Sequence, residues 1–112
     1  RFGGGGEPHD VTPVALLLSA MAGCTAIDVD FITSRIAEPV RFDVTSEGEK
    51  MRDGVENHLG DIEITFTVRF PEGAEGDRAR ERLPKAIAQS RDRLCTVSRT
   101  VQRGADVHMR EG

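Results

Sequence analysis

The chain of 112 residues has no tryptophan, no tyrosine, five phenylalanines, three histidines and two cysteines. Each scarcity removes a class of function. Nucleic-acid binding wants a basic stripe with stacking aromatics. Here 15 Lys and Arg stand against 19 Asp and Glu, a net charge of −4, so both terms fail and no nucleic-acid partner is expected. Cys24 and Cys95 form no Cys-x-x-Cys, and His9, His58 and His108 are isolated, so four zinc ligands at a standard spacing cannot be assembled and no metal is expected. No charge-free run reaches the roughly twenty residues needed to cross a bilayer. The nearest, Val11 to Ile27, contains Pro13, Gly23 and Thr25. No membrane partner is expected.

Composition places the chain among folded proteins. Hydrophobic residues make 38% and charged residues 30%, which fits one globular domain over residues 1–112. Leu18 to Cys24 looks like a bacterial lipoprotein cleavage box. The residues ahead of it lack a basic region and carry Glu7 and Asp10, and Thr25 to Arg35 continues a helical pattern, both unlike a signal peptide. The expected compartment is the cytoplasm, where paired cysteines are more often redox-active than structural.

Residues 1–11, with Gly3 to Gly6, read as a mobile Gly-rich loop. The glycines are not a phosphate loop, since no Lys-(Ser/Thr) follows them. Thr12-Pro13 is a helix start, a capping hydroxyl followed by proline at the first helical position. The spacing predicts a helix to about Arg35, with Leu17, Met21, Cys24, Asp28 and Phe31 on one face and a thin middle of Ala20, Ala22, Gly23 and Ala26. Cys24 is expected to be buried there. Val40 to Glu47 and Ile62 to Phe70 alternate as strands with one wet face. Glu49 to Leu59 reads as a turn or hairpin tip. Asp77 is a cap for a helix through Ala79, Leu83, Ile87, Ser90 and Leu94, which Pro84 should kink or split. A short helix follows Cys95 and ends at Gly104, and Ala105, Val107 and Met109 alternate as a closing strand. The sum is an α+β domain of two helical segments and at least three strands. Its sheet is thin for so apolar a helix, and an obligate dimer would cover the remainder.

Two cysteines on separate elements, with Arg91, Arg93 and Arg99 near the second, carry the parts of a peroxide-reducing thiol site. Such a site needs a thiolate, a donor to the leaving oxygen, and a second thiol that resolves the sulfenic acid. The plainer alternative is that both cysteines are small buried hydrophobes. The three arginines fit solvated or ion-paired helix positions. Asp28 either pairs with an arginine or marks where its helix leaves the core. Ser98 suits a local hydrogen bond better than a nucleophile, since no histidine lies near it in sequence.

Thr12-Pro13-Val14-Ala15-Leu16-Leu17-Leu18-Ser19-Ala20-Met21-Ala22-Gly23-Cys24-Thr25-Ala26-Ile27-Asp28-Val29, followed by Ser90-Arg91-Asp92-Arg93-Leu94-Cys95-Thr96-Val97-Ser98, resembles the OsmC/Ohr family. The likeness spans roughly Thr12 to Val107 and rests on the pairing of the two motifs. It implies a long central helix packed on an antiparallel sheet, in an intertwined homodimer with its active sites at the interface. It also implies thiol-dependent reduction of organic, including fatty-acid, hydroperoxides, with Cys24 peroxidatic and Cys95 resolving. No bound cofactor is implied, only an external dithiol reductant, of lipoyl type in some members. The sequence departs from the family in two places. Val14 and Ala15 stand where a glutamate usually orients the catalytic arginine, which leaves Glu7 or Asp10 for that task. The amino-terminal strands are shortened, and Arg1-Phe2 resembles the pair that supplies the arginine, making Arg1 a candidate catalytic residue. These departures also motivate the alternative of an OsmC-fold protein with impaired chemistry that binds an apolar small molecule.

Overall fold

The computed structural model describes residues 12–112; the glycine loop, Arg1, Glu7 and Asp10 lie outside the described residues. Helix α1, Pro13–Ser34, begins as the sequence predicts. The Thr12 side-chain oxygen accepts the Ala15 amide at 3.1 Å and Pro13 occupies the first turn. Its buried stripe is Met21, Thr25, Val29 and Thr33, a strict four-residue repeat. The expected face is only partly right, because Leu17 and Phe31 are exposed and Cys24 is half-buried where burial was expected. The Thr33 hydroxyl is satisfied within the helix by donating to the Val29 carbonyl at 2.9 Å. By length and composition α1, at 22 residues, is apolar enough to cross a membrane, although Asp28 and Asp30 lie in its last third.

Strands β1, Arg41–Asp53, and β2, Glu56–Arg69, form an antiparallel hairpin. Period-two alternation puts Phe42, Val44 and Ser46 on one face, opposite Val68, Phe66 and Ile64, and all six are half-buried. Phe42 and Phe66 meet edge to face at 6.3 Å. This face lies over α1, to which the Ser46 hydroxyl is tied by donating to the Leu18 carbonyl at 2.7 Å. Residues 49–59 do hold the hairpin tip, but the turn itself is narrow. The strands continue through them and turn only at Gly54-Val55, where Gly54 takes φ 63° as the first central residue of a two-residue turn. The alternation fades there because the ends of both strands are exposed on either face, so no burial selects for apolar residues. A bulge between Gly48 and Lys50 marks the change.

Helix α2, Ala74–Gln89, starts three residues before Asp77. Gly73 precedes it, and Glu75 and Asp77 place negative charge in its positive first turn. The helix is not split at Pro84. Both Pro84 and Arg80, whose carbonyl loses its amide partner, face solvent, so water satisfies the freed group. A π-helical turn, Ser90–Leu94, follows and leads into helix α3, Thr96–Arg103, which ends on left-handed Gly104 at φ 68°. The wider turn shifts the phase of the stripe. Leu94 swings out to 49% exposure while Cys95 becomes fully buried. The expected closing strand is not formed: residues 105–112 are irregular, and Val107 and Met109 are exposed, since alternation makes a strand only where an edge is offered. The sheet among the described residues is therefore two-stranded, not three.

The apolar core is small. Ala37, Phe70 and Ala79 form one cluster of it, with Ile36, Val68 and Leu83 against them, and Met21, Val29, Ala86 and Cys95 are buried apart from that cluster. The first turn of α2 reaches this cluster through a close approach at Gly76, where an added Cβ would run into the Pro71 carbonyl oxygen. Gly76→Ala is therefore expected to lower unfolding stability by about 3 kcal/mol, read as a drop in the urea midpoint at unchanged slope.

Candidate active site

Cys24 and Cys95 are 71 positions apart in sequence, yet their sulfurs and a carboxylate oxygen of Asp28 all lie within 4.8 Å of one another. Helix periodicity supplies one half of this group. Cys24 and Asp28 are four residues apart on α1 and share a face. The π turn supplies the other half. The Cys95 amide donates back to the Ser90 carbonyl at 2.9 Å, five residues away, and so closes the wide turn that aims Cys95 at α1.

Cys95 also caps α3. Its sulfur accepts the Ser98 amide at 3.4 Å, the place usually taken by a serine or aspartate oxygen. The Val97 backbone, in the same turn, acts on Cys24 to favour its thiolate, so both sulfurs face the first turn of α3. Ser98 is buried and acts through its amide, in line with its expected local role.

The two helical layers are joined beside the sulfurs by three polar side chains. Thr25 Oγ1 and Ser90 Oγ are 2.6 Å apart, and Ser90 Oγ donates to Asp28 Oδ2 at 2.8 Å. A hydroxyl has one proton, so Ser90, which gives its own to the carboxylate, must receive one from Thr25. Thr25 and Ser90 are buried. The relay escapes sequence reasoning except for one signal: Ser90 is a polar residue in the apolar stripe that runs past the end of α2.

The electrostatics of Cys24 oppose ionisation. Burial pushes its thiol above the ordinary value of 9.0, and the neighbouring Cys95 thiol adds to the rise; the Val97 backbone acts in the other direction, and the negative charge of Asp28 adds further. The candidate arginines do not relieve this. Arg91 pairs with Asp92 at 2.7 Å on the surface, which raises the arginine and lowers the aspartate, and Arg99 donates to Gln102 at 3.4 Å. Arg93 is exposed. Val14 stands ten residues before Cys24, about 15 Å along a helix at 1.5 Å per residue. Val14 lines a different cavity, with Lys50, Met51 and Arg52 at the hairpin end.

A larger cavity, about 590 Å³, opens between Met21, Thr25, Ile64, Phe66, Ile87 and Ser98, with Arg91 and Gln102 at its polar side.

The family model for OsmC-like proteins matches residues 4–110. The crystal structure of a hypothetical protein from Aquifex aeolicus VF5 superposes with a TM-score of 0.68 at 21% identity, covering 88% of this chain and 70% of that one. An OsmC-like hydroperoxide resistance protein from Jannaschia sp. CCS1 superposes with a TM-score of 0.63 at 18% identity, covering 100% of this chain and 71% of that one. No curated protein sequence matches significantly.

Because Asp28 is one of the charges holding the Cys24 thiol up, Asp28→Asn is expected to lower the midpoint of the pH profile for iodoacetamide alkylation of Cys24, followed by peptide mass. An unmoved midpoint would remove Asp28 from the electrostatics of the thiol.

Proposed function

The chain belongs to the OsmC-like protein family, and we propose that it reduces organic hydroperoxides with Cys24 as peroxidatic and Cys95 as resolving thiol. The observation that carries this reading is the meeting of the two sulfurs across 71 positions of sequence at the first turn of α3. The Cys24 thiolate attacks the outer peroxide oxygen, the O–O bond breaks, and the alkoxide leaves as an alcohol after taking a proton. The Cys24 sulfenic acid is then attacked by Cys95, water departs, and a disulfide remains. An external dithiol, such as a lipoyl group, restores both thiols by exchange. A reducing compartment such as the cytoplasm suits that cycle.

The reading requires a cation that residues 12–112 do not place beside Cys24, since their net effect is to raise the thiol. Arg1 is our candidate for this cation, with Glu7 or Asp10 as its orienting carboxylate in place of Val14 and Ala15. The apolar cavity beside Met21 and Phe66 is the place for the alkyl part of the substrate, and its size is within the usual range for small-molecule sites.

We read the assembly as a homodimer paired through α1. Ile27 and Phe31 are 72% and 62% exposed on that helix, and a side chain at Gly23 would meet nothing within 4 Å of its own chain. The radius of gyration, 17.1 Å, exceeds the roughly 13 Å of a compact chain of this length. An apolar face with a small-residue centre lets a second backbone approach closely and offers burial that the small core lacks. Gly23→Arg is expected to leave the far-ultraviolet circular dichroism intact and to convert the protein to monomer in light scattering. A dimer of unchanged stability would place the interface elsewhere.

The same raised thiol and apolar cavity favour a second reading, a binding module for an apolar ligand. Mass spectrometry of intact reduced protein after one equivalent of an organic hydroperoxide separates the two. The peroxidase loses two hydrogens as a Cys24–Cys95 disulfide forms, a change absent from both Cys24→Ser and Cys95→Ser. A protein of unchanged mass whose melting temperature rises with a fatty acid is a binding module instead.

A further inference from the structure

We propose that reduced Cys24, Asp28 and Cys95 form a three-ligand site for a thiophilic divalent cation, with Zn²⁺ as its probe. This goes beyond the peroxidase reading and does not depend on it. The sequence spacing excludes a site of four ligands read along the chain. Packing builds a different one, in which two ligands come from one helical face and the third from the turn laid across it.

The distances fit. All three donor atoms lie within 4.8 Å of one another. Zn–S bonds of about 2.3 Å and Zn–O bonds of about 2.0–2.2 Å in a tetrahedron put donor atoms roughly 3.5–3.8 Å apart, so side-chain rotations that draw the atoms together by about 1 Å complete the shell. The donor set fits as well. Two thiolates and a carboxylate carry three negative charges against two positive ones and suit zinc over calcium or magnesium.

The support behind the ligands is already in place. Metal-binding carboxylates are oriented by hydrogen bonds from outside the shell. Here Ser90, backed by Thr25, donates to Asp28 Oδ2, and no protein donor among the described residues takes Oδ1. The Ser98 amide holds the Cys95 sulfur at 3.4 Å. Cys24 and Asp28 are half-buried while Cys95 is buried, and a tetrahedral ion held by three protein ligands takes water as its fourth. Binding displaces the two thiol protons and leaves sulfur at its reduced level. If the peroxidase reading holds, a bound cation withholds both sulfurs from peroxide.

The test uses full-length reduced protein. Zn²⁺ binding is followed by competition with a chromophoric chelator and by native mass spectrometry, and Co²⁺ reports thiolate ligation through its charge-transfer absorption. The wild type is expected to take one Zn²⁺ with loss of two protons and to show the Co²⁺ band. Cys24→Ser and Cys95→Ser should each weaken binding more than about tenfold. Asp28→Asn keeps an oxygen that accepts from Ser90 and so preserves the fold, checked by circular dichroism; it too should bind about tenfold or more weakly with both thiols present. Wild-type affinity in Asp28→Asn, or binding that survives loss of Cys95, would overturn the three-ligand site. Since no peroxide is used, failure of the disulfide experiment leaves this result standing.

Discussion

The relay of hydroxyl protons from Thr25 through Ser90 to Asp28 governs how the two halves of this chain meet. The fully covered apolar side chains of α1 and α2 are few, Met21 and Val29 on the first and Ala79 and Ala86 on the second, and two of the four are alanine. Nonpolar burial alone would leave these elements free to slide. The relay adds direction, because each hydrogen bond works at one distance and one angle. Its members are costly to separate, since a buried hydroxyl left without a partner loses about 1–3 kcal/mol. The π turn starts at Ser90, so a restraint on Ser90 is also a restraint on where Cys95 arrives.

The hairpin plays a different part. It covers one side of α1 with Phe42, Val44, Ile64 and Phe66 and leaves the opposite side bare. A helix whose mean hydropathy would satisfy a membrane is thus divided lengthwise, with Met21, Thr25, Val29 and Thr33 packed inside and Ile27 and Phe31 outward. The threonines explain how such a helix can pack against polar neighbours. Thr33 closes on its own backbone and Thr25 donates across to Ser90, so neither hydroxyl is stranded.

Much of this was legible in the residues. Thr12-Pro13 announced α1 because capping and proline geometry are local. The alternation through Phe42 to Ser46 and Ile62 to Val68 announced the hairpin because its inner face is half-buried. The joining of Cys24 to Cys95 was legible only through resemblance, since no local rule links positions so far apart. Three features stayed hidden for physical reasons. The outer ends of β1 and β2 lack a buried face and hence a pattern. The π turn has no periodicity of its own in five residues. Ala105, Val107 and Met109 alternate convincingly, yet alternation describes a face and cannot supply the strand to which it would pair.

The π turn has a consequence for how this segment can evolve. A residue inserted into an α-helical register rotates everything after it by about a hundred degrees, and Ser90 to Leu94 holds such an offset. Side chains along the turn are largely exposed and so open to exchange, as Arg91, Asp92 and Arg93 suggest. Length is another matter. A deletion of one residue would restore ordinary helix and carry Cys95 off the line to Cys24, so beyond Ser90 the segment can vary freely in spelling but not in number of letters.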